Sequence, residues 1–295
     1  MVILYHGTGQ NDDVPVPGLC SFLPGEEEKG SLMNQTVPAL SIAFMALAWA
    51  VSFFLPIGLL VYFRKKGADI SPFFIGWAVM LLFAFILESL VHQAVLSSPV
   101  GERIRGSVWL FALYGGFMAG IFEETGRYLA FSTVLKKKLD NKSNALMYGA
   151  GHGGFEAMAI LGITSVNNMI WSFMINSGQA EALTQGLTGE VLDQARASIE
   201  ALTTTPSYQF LMGGLERIFA ICLHIALSIL VWTAVREKKR RILYPLAVLI
   251  HMLVDAVTAL LAGLGVSVLV IEALVGLMCL LSLLYAIKIY REEPA

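Results

Sequence analysis

Charge is scarce in this chain: Asp, Glu, Lys and Arg make up 14% of the 295 residues, while 56% are hydrophobic. Soluble proteins average roughly 25% charged residues, so a water-soluble enzyme is excluded and most of the chain must sit where charge is penalised. Surplus positive charge is lacking as well. Lys and Arg number 20 against 22 Asp and Glu, which leaves no basic surface for phosphate contacts and excludes a nucleic-acid partner. Cysteines number three, and Cys20, Cys222 and Cys279 lie too far apart to suggest a disulfide framework or a cysteine zinc motif. Residues 1–36 have neither the apolar nor the basic region of a signal peptide. With Pro15, Pro17, Pro24 and Glu26, Glu27 and Glu28 they read as a disordered tail, and Met33 is a second candidate start just ahead of the first apolar run.

What is present is long apolar runs. Seven stretches, at 37–63, 72–97, 107–135, 144–175, 207–235, 242–262 and 265–290, are each long enough at about 1.5 Å per helical residue to cross a hydrocarbon core of about 30 Å. Basic clusters at Arg64–Lys66, Lys136–Lys138 with Lys142, and Arg236–Arg241 follow the first, third and fifth runs. The positive-inside rule then orients the chain N-out and C-in. The expected fold class is an all-α, polytopic integral membrane bundle of about seven transmembrane helices, spanning 37–290, with the lipid bilayer of a bacterial cell as its surroundings. Residues 177–206 are more polar and read as an external connector with a short helix.

Four of the five histidines (His92, His152, His224 and His251) fall inside these runs, together with Glu88, Glu123, Glu124, Glu156, Glu216, Asp255 and Glu272. Each charge near a bilayer centre costs about 2.5–3.5 kcal/mol, so the bundle interior must be polar enough to pair or protonate them. Counting from the basic helix ends at about 1.5 Å per residue puts Glu123, His152, Glu156, His224, His251 and Asp255 at one level, about 13–20 Å deep. Glu88, His92, Glu216, Arg217 and Glu272 come out at about 25 Å or deeper, as a second set. Glu123 and Arg127, His152 and Glu156, His251 and Asp255, and Glu88 and His92 are i,i+4 pairs, each on one helix face. Gly116 with Gly120 and Gly149 with Gly153 form small-xxx-small patterns, from which close packing of the third run on the fourth is expected.

A carboxylate withdrawn from water can act as general base on a water molecule, with histidines positioning that water or stabilising an oxyanion. Glu123 or Glu124 with His152 and His251 fits hydrolysis. The bland alternative is a Glu123–Arg127 salt bridge with His–carboxylate pairs as glue between helices. Zinc is a further alternative, since three histidines and several carboxylates can leave an open coordination position. No HExxH motif occurs, and His152–Glu156 is only HxxxE, so the leading expectation carries no cofactor. Glu216–Arg217 and Glu88–His92 read as structural ion pairs or a water path rather than catalytic groups.

Glu123-Glu124-Thr125-Gly126-Arg127, Tyr148-xxx-His152 and His251-xxx-Asp255 resemble the EExxxR, FxxxH and HxxxN motifs of the CAAX-protease and bacteriocin-processing (CPBP) membrane endopeptidases and the related PrsW proteases. EETGR followed by the Gly151–Glu156 run is similar to the YhfC-type glutamic intramembrane proteases, over about residues 37–290. The resemblance implies an intramembrane endopeptidase in which Glu123 activates water, His152 assists, and His251 with Asp255 stabilises the oxyanion. Arg127 stands one residue nearer the Glu pair than in EExxxR, which leaves Glu124 as an alternative base. Asp255 replaces Asn, and a carboxylate cannot donate to an oxyanion unless protonated, so Asp255 is expected to orient His251. His224 has no counterpart in those motifs but belongs with them by depth, as does Glu156. The expected substrate is a membrane-associated peptide or protein. A proton or cation transporter built on the two Glu/His layers, or a non-catalytic scaffold, uses the same residues differently.

Overall fold

Lipid offers no partner for a bare peptide group, so a spanning segment must close its hydrogen bonds within itself, and an apolar run in a membrane becomes a helix. The structure, a computed structural model describing residues 36–292, follows that rule, with no strand among the described residues. The expected N-terminal tail lies outside the described residues except for Thr36.

The helices are α1 (Ala39–Lys65), α2 (Ser71–Leu96), α3 (Pro99–Arg105), α4 (Val108–Ser132), α5 (Ser143–Asn176), α6 (Gly189–Thr204), α7 (Ser207–Arg236), α8 (Leu243–Gly263) and α9 (Val268–Glu292). All seven expected spans are present, displaced by only a few residues. Six are long and apolar enough to cross a membrane. The seventh, α4, carries Glu123, Glu124 and Arg127 and follows α3 across a bend of 110°. Ser98 and Ser107 accept from the backbone N–H of Gly101 and Leu110 and so cap α3 and α4 on either side of that bend. The short helix expected in the 177–206 connector is α6, which buries Ile199 and Leu202 against a cluster that includes Val37, Met45 and Ile175.

Helix α7 is the axis of the bundle. In its most apolar stretch 72% of the residues are buried, against 17–28% in the other spans, and it packs on α1, α5, α8, α9 and α4. From Leu223 to Ala234 every residue is buried, including Trp232 and Thr233, so this helix has no lipid face there. The outer helices turn Phe54, Ile57, Leu269 and Leu281 outward, as a lipid-facing surface requires.

Glycines decide which helices touch. A Cβ on Gly116 or Gly120 would lie 2.4 Å from Met252 O or 2.8 Å from Val248 O, both on α8. One on Gly149 would lie 2.5 Å from Ile225 Cα of α7, and one on Gly151 only 2.1 Å from Phe73 O of α2. The small-xxx-small faces of α4 and α5 therefore do not meet each other, contrary to expectation. Each accepts a different partner, because such a pattern marks a face open to close approach without naming the helix that fills it.

Two widened π-helical stretches, Leu81–Glu88 in α2 and Met158–Gly162 in α5, lie next to buried acids, ending on Glu88 and starting two residues after Glu156. Such stretches shift the face that the following residues present.

Candidate active site

The polar residues grouped by depth converge between α4, α5, α7 and α8. Glu123 and Glu124 are adjacent on α4 and so point in different directions from its axis. Glu123 Oε2 accepts from His152 Nε2 at 3.0 Å, lies 4.0 Å from His224 Nδ1, and its Oε1 is 3.9 Å from His251 Nε2. Three histidines from three helices thus surround one carboxylate, all of them nearly or fully buried. The imidazoles touch in sequence, His152 tilted against His224 with ring centroids 5.0 Å apart and His224 edge-on to His251 at 5.4 Å, while Tyr148 stacks on His152 at 5.7 Å.

Around this centre lies a ring of charge. Glu124 accepts from Arg127 and from His251 Nδ1, the latter at 2.8 Å. Glu156 Oε2 accepts from His224 Nε2 at 2.9 Å, and Glu156 Oε1 accepts from Arg217 Nη1 at 3.0 Å. Each outer carboxylate is therefore bonded to a guanidinium. Glu123 has none within ion-pair distance among the described residues and is held only by imidazole.

The hydrogen bonds also fix one tautomer. A guanidinium only donates, so Arg127 Nη2, 3.0 Å from His224 Nδ1, makes that nitrogen an acceptor and leaves the proton on Nε2, facing Glu156. His251 Nδ1 bonds Glu124, and its Nε2 faces Glu123 and Asp255 Oδ2, the latter at 3.7 Å. One ring nitrogen each of His224 and His251 and a carboxylate oxygen of Glu123 lie within 4.8 Å of one another. Each imidazole is backed by a second carboxylate, which is how metal-binding histidines are commonly oriented.

All eight candidate residues are in or beside this cluster, with three changes in pairing. Arg127 bonds Glu124, three residues away, rather than Glu123. His251 is oriented by Glu124 on the neighbouring helix, while Asp255 stands at the wall of an adjoining cleft; an interhelical carboxylate reaches Nδ1 where a residue on the same helix reaches only Nε2. Arg217, assigned by depth to a separate layer, reaches down to Glu156 as well as across to Glu216 at 2.5 Å. The available signal was spacing, since Arg217 and His224 are seven residues apart and share a face of α7. The other expected pair holds: His92 Nε2 lies 3.0 Å from Glu88, and Nδ1 of the same ring lies 2.9 Å from Tyr114, which the motifs did not flag.

Residues 51–279 match the model of the family described as YhfC intramembrane metalloprotease. The chain is also 40% identical over 257 residues to the uncharacterized membrane protein YhfC of Bacillus subtilis (strain 168), covering 85% of this chain and 97% of that one. No solved structure gives a significant match.

Proposed function

The chain belongs to the YhfC intramembrane metalloprotease family, and on that premise we propose that it is a metal-dependent endopeptidase that hydrolyses a membrane-associated peptide within the bilayer, with its basic loops on the cytoplasmic side. The observation that carries this reading is the convergence of Glu123, His224 and His251, each imidazole backed by a carboxylate. Imidazole nitrogen with carboxylate oxygen is a donor set that suits zinc and its neighbours. The expectation of a centre without a cofactor finds no support in the family description.

Those three residues would hold the metal, which when bound would polarise a peptide carbonyl and acidify a water molecule. Glu124 and Glu156 bond the far nitrogen of each imidazole and so turn its other nitrogen toward Glu123, where a metal would be held. Arg127 and Arg217 neutralise those two carboxylates, which leaves Glu123 as the unmatched anion of the cluster. His152 holds Glu123 Oε2 and fixes the carboxylate plane. Asp255, at the cleft wall beside His251, is placed to accept a proton from water entering there.

One observation favours a second reading. Arg127 Nη2 bonds His224 Nδ1, the nitrogen that a metal would need, and on this reading Glu123 serves as the general base of a glutamic protease. The two readings part experimentally. On the metal reading, purified protein retains a stoichiometric transition metal by mass spectrometry, and His224→Ala and His251→Ala lose it. Chelation then stops cleavage of a single-span reporter helix in proteoliposomes, and added metal restores it. Full-rate cleavage by metal-free protein, abolished by Glu123→Gln, would assign catalysis to the second.

A further inference from the structure

A cavity of about 210 Å³ opens beside the cluster, between α7, α8 and α9. Its lining includes His224, His251 and Asp255 and, about two turns along α7 from His224, Glu216 and Arg217, together with Glu272. Its acidic lining, which also includes Glu156, sets four carboxylates against one guanidinium. Both terminal nitrogens of that guanidinium are engaged, Nη1 by Glu156 and Nη2 by Glu216. Glu272, contributed by α9, is only 7% exposed, and its buried Oε2 has no hydrogen-bond partner among the described residues. A buried polar atom without a partner is uncommon and costly. Here it stands on the wall of a space large enough for a side chain, in an excess of negative charge.

We infer that the part of the cavity lined by Glu216 and Glu272 is a specificity pocket for a positively charged side chain, lysine or arginine, of the peptide substrate, with Glu272 as its principal acceptor and Glu216 as the second. The inference rests on the protease reading and names its substrate class. Along α7, Glu216 is about 12 Å from His224 at 1.5 Å per residue. An extended peptide covers that in three to four residues at about 3.3 Å each, so the cation lies about three to four residues from the cut bond.

The test uses the full chain with Glu123→Gln, in nanodiscs, and a fluorescent single-span peptide whose one lysine is moved stepwise along its flank, each against a methionine counterpart. One register of lysine is expected to bind about tenfold more tightly than methionine, the scale of a charge-assisted hydrogen bond out of water. Adding Glu272→Gln should remove that preference, and Glu272→Lys should transfer it to a glutamate-bearing peptide. Glu216→Gln, an independent variant, should reduce it, and an unchanged elution profile establishes that each variant is folded. Equal binding of lysine and methionine at every position, or a preference that survives Glu272→Gln, would overturn the inference. Wild-type cleavage of the same peptides is scored separately. A chain that discriminates without cutting refutes the protease reading and keeps the pocket, while one that cuts every peptide equally does the reverse.

Discussion

Replacing Glu124 by Gln tests the electrostatic frame of the site with little change in volume. The side chain is fully buried and its Oε1 serves two donors, Arg127 and His251 Nδ1. Gln has one carbonyl oxygen and an amide that can only donate. With its carbonyl oxygen at the Oε1 position the amide still accepts from both donors, so the loss is one of charge: the Arg127 guanidinium, itself fully buried, loses its matching anion. Breaking a buried pair by neutralising one partner costs about 3–5 kcal/mol, since the other charge remains out of water. Because the interaction is pairwise, Arg127→Met in the same chain should return most of that loss, with a coupling energy of about 2–3 kcal/mol. The assay is reversible unfolding in mixed detergent and sodium dodecyl sulfate micelles, followed by circular dichroism, for the wild type, both single variants and the double variant. Single variants that each cost less than about 1 kcal/mol, or that add without coupling, would show that the pair contributes little to the fold.

Glu156→Gln should weaken metal binding about 10–100-fold without removing a ligand, because His224 Nε2 loses the carboxylate that sets its tautomer; metal titration of the purified protein checks this. Gly151→Ala should destabilise the chain by about 1–3 kcal/mol or more, since the new methyl meets the backbone carbonyl of Phe73 and no side chain can yield; Gly67→Ala, which meets no neighbour, isolates the strain of its positive φ in the same unfolding assay. The loop acid Asp69 accepts from Asn144 and pairs with Lys138 at 3.0 Å, and Lys138 first and Asn144 second hold its carboxyl below the usual range. Its contribution is therefore present above about pH 4 and is lost as pH falls through the lowered value. Both side chains are more than a third exposed, so Asp69→Asn should cost less than about 1 kcal/mol at pH 7.

Helix positions and the membership of the polar cluster were legible in the sequence because both depend on quantities that run along one helix. Length and hydropathy locate a span, and the rise per residue converts position into depth, which placed His224 with Glu123 and His251 before any contact was known. What periodicity does not carry is rotation of one helix against another. For that reason the partners of Gly116 and Gly149, the choice of Glu124 over Asp255 as the support of His251, and the bond from Arg217 to Glu156 emerged only in three dimensions. The enclosure of α7 was equally hidden, since a helix surrounded by apolar neighbours and one facing lipid need much the same side chains. Metal and glutamic chemistry were not separable by residue type, because both need a buried carboxylate among imidazoles.

The axial place of α7 bears on how the chain is made. Synthesised after α5 and before α8 and α9, this helix must enter the membrane carrying Glu216, Arg217 and His224 while two of its eventual neighbours do not yet exist. Its two polar bonds to α5, from Arg217 and His224, both run to Glu156, which is already in place. The most costly charge of the axis thus meets its counterpart on a segment already translated, and α8 and α9 close around a core whose main ion pair can form before them. The cleft, whose other wall comes from those last two helices, is the final part of the molecule to take shape.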